Sequence, residues 1–165
     1  MISVNMSRVH FQENCFLDEY IRILKDYQIP AELIEIELTE TLVFENPEAF
    51  TNIIKEIHKA GFRCSMDDFG SGYSTLNTLK DLEVDAIKLD RAFFSSENME
   101  NEKENIIIKS VLDMAKALHM TTIAEGVETL GQTRFLQNTT CDLIQGFFFS
   151  KPVPIKEFEE LMNKE

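Results

Sequence analysis

Short apolar segments alternate with helical patterns along the whole of this 165-residue chain. Strands that alternate with helices predict an α/β fold with a parallel sheet and right-handed crossovers. This length can bury a sizeable core but would be cramped for two domains, so we predict a single domain over residues 1–165. The predicted strands are Ile2–Met6, Leu33–Leu38, Arg63–Asp67, Ala86–Leu89, Thr121–Ala124 and Asp142–Ile144, of which the last can continue through Phe147–Phe149.

The helices are predicted from the spacing of their apolar residues. The second is delimited best, because Asn46 is a natural N-cap, Pro47 suits the first turn and Gly61 ends it. Shorter patterns lie at Phe16–Tyr27, Leu76–Leu82 and Gln132–Gln137. The residues expected to face inward are Ile107, Val111, Met114 and Leu118 in a helix that starts near Lys103, and Ile155, Phe158, Leu161 and Met162 in a last helix that starts near Pro154.

The net charge excludes some classes of partner. The chain has 16 Lys and Arg against 29 Asp and Glu, which gives −13. A surface this acidic is poorly suited to DNA, RNA or anionic membrane, because such binding depends on Lys and Arg. A phosphate-containing substrate would therefore need a cation, such as a divalent metal, between itself and the carboxylates.

The cysteines and the hydropathy pattern indicate a reducing compartment. Cys15, Cys64 and Cys141 are odd in number and widely spaced, which fits neither a disulfide framework nor a zinc site. We find no apolar run of membrane length and no signal peptide, so we expect a cytoplasmic protein without a membrane span.

Polar residues recur at or just beyond the ends of the predicted strands. In a parallel α/β barrel the carboxyl ends of the strands converge on one face, where catalytic residues come from several strands. Six successive strands with this feature are hard to explain by chance, and we predict a functional site there. The residues in these positions are Asn5, Glu37, Glu40, Asp67, Asp68, Lys88, Asp90, Glu125 and Gln145.

The residue types indicate metal-dependent chemistry on a phosphodiester. Asn, Asp and Glu offer hard oxygen ligands, which suit Mg²⁺, Mn²⁺ or Ca²⁺ better than zinc. The adjacent carboxylates of Asp67 and Asp68 would repel each other without a nearby cation. Two metals with bridging carboxylates are the usual apparatus for attack of water on a phosphodiester. Lys88, held among carboxylates, would stay protonated and could orient that water or offset charge on the phosphoryl oxygens.

Each of these residues also has an ordinary structural interpretation. Asp68 and Glu125 could each serve only as a helix N-cap. Lys88 could extend its ammonium group to solvent along an apolar surface, and Asn5 could be a turn residue. The metal site is favoured by the set as a whole rather than by any single member.

Six motifs in order extend the argument to a known family. They are Val4-Asn5-Met6-Ser7, Glu37-Leu38-Thr39-Glu40, Asp67-Asp68-Phe69-Gly70-Ser71-Gly72-Tyr73-Ser74, Ile87-Lys88-Leu89-Asp90, Ala124-Glu125-Gly126-Val127-Glu128-Thr129 and Gln145-Gly146-Phe147-Phe148-Phe149-Ser150-Lys151-Pro152. Together they resemble the EAL-domain cyclic di-GMP phosphodiesterases of bacteria over nearly the whole chain. The resemblance implies a TIM-like (β/α) barrel that hydrolyses cyclic di-GMP to linear pGpG with two Mg²⁺ or Mn²⁺ ions, is inhibited by Ca²⁺, and forms a homodimer.

The resemblance also implies a role for each matching residue. Lys88 and Glu125 match catalytic positions, although a hydroxide formed with little help from the protein could replace Glu125 as the base. Glu40 matches a glutamate that holds the loop Asp68–Tyr73. The implied metal ligands are Asn5, Glu37, Asp67, Asp68 and Glu125, and the residues implied to contact the substrate or to support those that do are Gln145, Glu128 and Asp90.

The chain departs from the family at its beginning. No Glu-Ala-Leu segment occurs in it, although that segment supplies a metal ligand and a nearby substrate-binding arginine in the family. We therefore expect an incomplete barrel, with about six of the eight strand–helix units and without its first strand and helix. Besides an active phosphodiesterase, the alternatives are a catalytically impaired module that binds cyclic di-GMP or a protein, and a fragment of a longer phosphodiesterase.

Overall fold

The protein folds into one parallel sheet with its strands in chain order. The computed structural model describes residues 1–7, 16–45, 47–70, 82–95 and 99–163, without the side chains of residues 43–45 and 47. Each strand pairs in parallel with the next, so the order is β1-β2-β3-β4-β5-β6 and all six predicted strands are confirmed. The strands are β1 Ile2–Asn5, β2 Ile34–Thr39, β3 Arg63–Phe69, β4 Ala86–Leu89, β5 Thr121–Ala124 and β6 Leu143–Ile144.

Alternation along the strands separates a core face from a polar face. Ile36 and Leu38 of β2 are fully buried in the hydrophobic core. The alternate residues Glu35 and Glu37 each line an open cavity on the other face. The register pairs Asn5 with Glu37 across β1 and β2. Because neighbouring strands run in parallel, their carboxyl ends lie along one edge of the sheet.

Helices follow most of the strands. Their bounds are α1 Asp18–Tyr27, α2 Glu40–Glu45, α3 Pro47–Lys59, α4 Glu102–Ala117, α5 Leu130–Gln137 and α6 Ile155–Met162, with short 3₁₀ turns at Ala31–Leu33 and Arg91–Phe94. We did not predict α2 or the two 3₁₀ turns. The predicted second helix corresponds to α3, which buries Phe50, Ile54 and Ile57 and ends before Gly61 at φ +88°. The proposed N-cap Asn46 and the predicted helix around Leu76 lie outside the described residues.

The buried stripe of α4 differs from the predicted one. The helix buries Ile108, Val111, Leu112 and Ala115, while Ile107 is 54% exposed and Leu118 40% exposed. The run Ile106-Ile107-Ile108 offers two overlapping helical stripes, and contact with the sheet selects the one that starts at Ile108. The prediction that Ile107 and Leu118 face inward was wrong.

The apolar side of α6 is not buried either. No residue of this helix is buried, because no described part of the chain covers it. The exposed fractions are Ile155 78%, Phe158 51%, Leu161 44% and Met162 70%. The prediction of an inward-facing stripe was therefore wrong for the described structure, although the helix itself is confirmed.

The segment after β6 turns instead of continuing as a strand. The Phe149 N–H donates to the Gly146 carbonyl, and the Phe148 N–H donates to the Val127 carbonyl. A Cβ atom on Gly146 would lie 2.0 Å from that Val127 oxygen, so the backbones approach closely here. This contact diverts the chain across the end of β5, and the suggested continuation through Phe147–Phe149 was wrong.

The barrel is incomplete and open between its two edge strands. Within the described residues, β1 and β6 each pair on one side only. Met1 and Ser3 at one edge and Leu143 and Ile144 at the other line the same cavity of about 420 Å³. The sheet therefore curls into part of a barrel with a gap between β6 and β1, as expected. None of the described helices has the length and apolar character required to cross a membrane.

Candidate active site

The ammonium group of Lys88 lies at the centre of three carboxylates. Its Nζ atom is 2.6 Å from Oε1 of Glu37, 2.7 Å from Oε1 of Glu125 and 3.6 Å from Oδ1 of Asp67. Each of the four side chains extends from a different strand or strand end, from β2 to β5. Lys88 is 4% exposed, so its charge is balanced by these carboxylates more than by water.

This arrangement shifts the pKa values of the groups in it. Burial alone lowers the pKa of Lys88, but hydrogen bonds to Glu125 and Glu37, with the charges of Glu125 and Asp67, outweigh burial and raise it. Lys88 is therefore a fixed cation. Burial raises the pKa of Glu125, against the opposing effect of Lys88, and burial together with the Asp67 charge raises the pKa of Asp68.

An open cleft of about 530 Å³ lies beside Lys88 and contains most of the predicted site. The described residues that line it are Met1, Ser3, Asn5, Glu37, Asp67, Lys88, Glu125 and Gln145. Each strand from β1 to β4 contributes a residue, and Glu125 and Gln145 directly follow β5 and β6. The sequence thus predicted a set of side chains that the fold brings together, as the carboxyl-end geometry requires.

Four other predicted residues lie outside the lining of this cleft. The Asp68 N–H donates to Oδ1 of Asp67 at 3.0 Å, and Asp68 has φ +57°. Asp90 accepts from the Ala92 N–H at 2.8 Å and so caps the 3₁₀ turn Arg91–Phe94. Glu40, which is buried, accepts from the Gly70 N–H at 2.8 Å, while the backbone of Glu128 bonds to Gln132. These four contribute to the loops around the cleft.

The ligand atoms of the cleft are of the chemical type that a hard divalent cation prefers. Asn5, Glu37, Asp67 and Glu125 offer an amide and three carboxylates, the ligands that Mg²⁺ and Mn²⁺ prefer. Among the described residues, no three Asp, Glu, His or Cys side chains are already gathered as a metal cage. Lys88 engages Oε1 of both Glu37 and Glu125 directly, so a bound metal would share these carboxylates with the ammonium group.

One buried side chain at the rim of the site was missed in the sequence. Gln132, which is 5% exposed, donates from Nε2 to the Phe94 carbonyl at 2.7 Å. Its Oε1 accepts from the N–H groups of Glu128 and Thr129 at 2.8 and 3.0 Å. The spacing Thr129-x-x-Gln132 is that of a capping box and could have predicted the contact with Thr129, but not the distant bond to Phe94.

A family model described as "EAL domain" matches residues 1–152 of the chain. The signaling protein YkoW of Bacillus subtilis is 34% identical over 98% of the chain, and the cyclic di-GMP phosphodiesterase NbdA of Pseudomonas aeruginosa is 33% identical over 98%. The chain spans only 20% and 21% of the length of these two relatives.

Solved structures show the same fold. The EAL domain of Mycobacterium smegmatis DcpA is 33% identical with a TM-score of 0.89, over 98% of this chain and 72% of that one. Klebsiella pneumoniae BlrP1, in a complex with manganese and cyclic di-GMP, is 30% identical with a TM-score of 0.84, over 91% of this chain and 38% of that one. Both therefore extend beyond the part that this chain matches.

Proposed function

The chain belongs to the EAL domain family, and from this premise we propose that it hydrolyses cyclic di-GMP to linear pGpG in bacterial second-messenger signalling. Named phosphodiesterases among its relatives support the reaction. The observation that carries the proposal is the buried Lys88 ammonium held among the carboxylates of Glu37, Asp67 and Glu125 in an open cleft.

The substrate is an anion, and the cleft is rich in carboxylates. Lys88 is a fixed positive charge there, but it is already shared by carboxylates and cannot neutralise a phosphodiester as well. We propose that two Mg²⁺ or Mn²⁺ ions, held by Asn5, Glu37, Asp67, Asp68 and Glu125, provide the remaining charge, and that Ca²⁺ inhibits. Bound divalent cations would bring phosphate to the carboxylates and activate the attacking water.

The residues of the chain then have separate roles in the proposed reaction. Water adds to one phosphorus, the bond from that phosphorus to a ribose oxygen breaks, and that oxygen takes up a proton to become the free hydroxyl of pGpG. The Lys88 ammonium donates hydrogen bonds to the attacking water or to the phosphoryl oxygens. The proton of the water goes to Glu125, whose pKa burial raises, or is lost with little help from the protein as hydroxide forms. Gln145 lines the cleft and can bond to the dinucleotide without adding charge.

In this proposal the loop residues outside the cleft lining fix the loops that surround the cleft. Glu40 holds the Gly70 amide and so fixes the start of the loop that follows Asp67 and Asp68. Asp90 and Glu128 support or contact substrate from the turns after β4 and β5.

A turnover assay tests the proposal. The purified chain with Mn²⁺ or Mg²⁺ and cyclic di-GMP should release pGpG, detected by chromatography. Lys88→Ala and Asp67→Asn should abolish the product, whereas Lys55→Ala on the exposed side of α3 should not. No turnover by the wild type with either metal would exclude the phosphodiesterase assignment, and turnover by Lys88→Ala at the wild-type rate would exclude the proposed role of Lys88.

A module that binds cyclic di-GMP without cleaving it is the second candidate function. One observation favours it: Lys88 directly engages the carboxylates of Glu37 and Glu125. Titration calorimetry distinguishes it from the first, because heat of binding with no pGpG after long incubation is expected only for the second.

We also propose that the chain is cytoplasmic and forms a homodimer. This assembly applies whether the chain is an independent protein or a fragment of a longer phosphodiesterase. Sedimentation velocity tests the assembly: a monomer of 19.0 kDa over a wide concentration range would contradict a dimer.

A further inference from the structure

The loops at the carboxyl ends of the strands contact one another around the cleft. Glu40 at the end of β2 binds the Gly70 amide after β3. A Cβ atom on Gly70 would lie 2.1 Å from Cε2 of Phe93, so the turn after β4 packs directly on Gly70. A Cβ atom on Gly126, after β5, would lie 2.5 Å from the Cβ of Arg91. These loops form a rim in which each one limits the position of the next.

Gln132 bridges two segments of this rim with opposite ends of one amide. Nε2 donates to the carbonyl of Phe94, which ends the turn after β4, and Oε1 accepts from two N–H groups just beyond Glu125. A primary amide combines a donor and an acceptor in a fixed geometry, and both are used here. Because the side chain is buried, water cannot substitute for either bond.

The two bridged segments carry the groups with catalytic roles in the proposed reaction. Phe94 ends the 3₁₀ turn that Asp90 caps, and this turn begins three residues after Lys88. Glu128 is three residues after Glu125, and Gly126 between them rests on Arg91. The Gln132 amide therefore joins the segment that follows Lys88 to the segment that follows Glu125. The side chains of Lys88 and Glu125 themselves are 2.7 Å apart.

We propose that Gln132 is a positioning residue that holds the turn after Lys88 and the loop after Glu125 in fixed relation. This inference rests on the proposed function only for the catalytic importance of the two groups. The bridge itself exists without substrate, so it can be tested in the free chain.

Two variants separate the bridge from helix capping. Gln132→Glu keeps the acceptor that a capping box needs, since Glu is a normal residue at that position, but it turns a carboxylate towards the Phe94 carbonyl. Thr129→Ala removes the side chain that caps α5 at the Gln132 N–H and leaves the Gln132 amide in place. Hydrogen–deuterium exchange of both, without ligand, reports on residues 88–95 and 125–129 separately.

Gln132→Glu should speed exchange in 88–95 by about tenfold, which corresponds to roughly 1.4 kcal/mol of local stability, because the bond to the Phe94 carbonyl is lost while the acceptor for 125–129 is kept. Thr129→Ala should speed exchange only at the start of α5. If the wild type hydrolyses cyclic di-GMP, Gln132→Glu should lower kcat with little change in KM, because positioning and not binding is altered.

The proposal would be overturned if residues 88–95 exchanged in Gln132→Glu at the wild-type rate. It would also be overturned if Thr129→Ala sped their exchange as much as Gln132→Glu does. If Gln132→Glu does not fold, Gln132→Met keeps the volume without either bond and should speed exchange in both 88–95 and 125–129. Failure of both to fold would make Gln132 a general folding residue and also overturn it. A wild type without turnover would contradict the proposed function but leave the exchange result valid.

Discussion

Lys88 is the counter-ion of the carboxylates around it. Its Nζ hydrogen-bonds Glu37 at 2.6 Å, and both side chains are almost fully buried. The loss of one partner from a buried pair leaves an uncompensated charge, which costs more than the pair contributes. Stability and the proposed activity therefore involve the same atom.

We expect Lys88→Met to lower the free energy of unfolding by about 3–5 kcal/mol, because the carboxylates lose their cation. Urea denaturation followed by circular dichroism measures the change. The control Lys55→Met, on the exposed side of α3, should stay within about 0.5 kcal/mol of wild type. Equal effects of the two substitutions would show that the buried ion pair contributes no more to the free energy of unfolding than an exposed lysine does.

Glu40→Ala should destabilise the protein by about 1–3 kcal/mol, because the Gly70 N–H loses the buried carboxyl group that accepts its hydrogen bond. Glu40→Gln keeps an acceptor oxygen and should lose clearly less stability. Thermal unfolding of the three proteins measures this order. If Ala and Gln were equivalent, the hydrogen bond to Gly70 would not be the reason for burying Glu40.

Between elements, the loop after β3 packs closely against the turn after β4. Gly70→Ala should destabilise the chain by more than about 1 kcal/mol, since φ is +90° and the new Cβ would overlap the ring of Phe93. Adding Phe93→Leu should recover part of that loss by removing the overlap, as denaturant midpoints would show. No recovery would assign the whole cost to the backbone conformation.

Helix α6 carries an apolar side that no described residue covers. Phe158→Ser should change the free energy of unfolding by less than about 0.5 kcal/mol, whereas Ile57→Ala in α3 should cost about 2–5 kcal/mol. Denaturant titration at two protein concentrations measures both. A large, concentration-dependent effect of Phe158→Ser would mean that a second molecule covers α6 in solution.

Individual elements show how far the sequence was informative. The strands were predictable because each apolar run is short and bounded, and the cleft followed because parallel strands align their carboxyl ends. The buried stripe of α4 was not predictable, because Ile107 and Ile108 satisfy helical spacing equally well and only contact with the sheet distinguishes them. The bond of Gln132 to Phe94 joins residues 38 positions apart, which no local pattern encodes.

For the whole molecule, the proposed metals link folding to the composition of the buffer. Mn²⁺ at about 100 times its dissociation constant should raise the free energy of unfolding by about 2.7 kcal/mol, because the ligands come together only in the folded state. Thermal unfolding with increasing Mn²⁺ measures the rise. Asp67→Asn should show a smaller rise, and no response of the wild type to millimolar Mn²⁺ would contradict the metal assignment.

The order of the strands has a consequence for how the chain is made. Each strand pairs with the next one along the chain, from β1 to β6. A ribosome therefore releases the strands in the order in which the sheet needs them, and each new strand meets the free edge of its predecessor. Among the described strands, none waits for a partner that is translated much later, so each pairing closes only a single crossover connection.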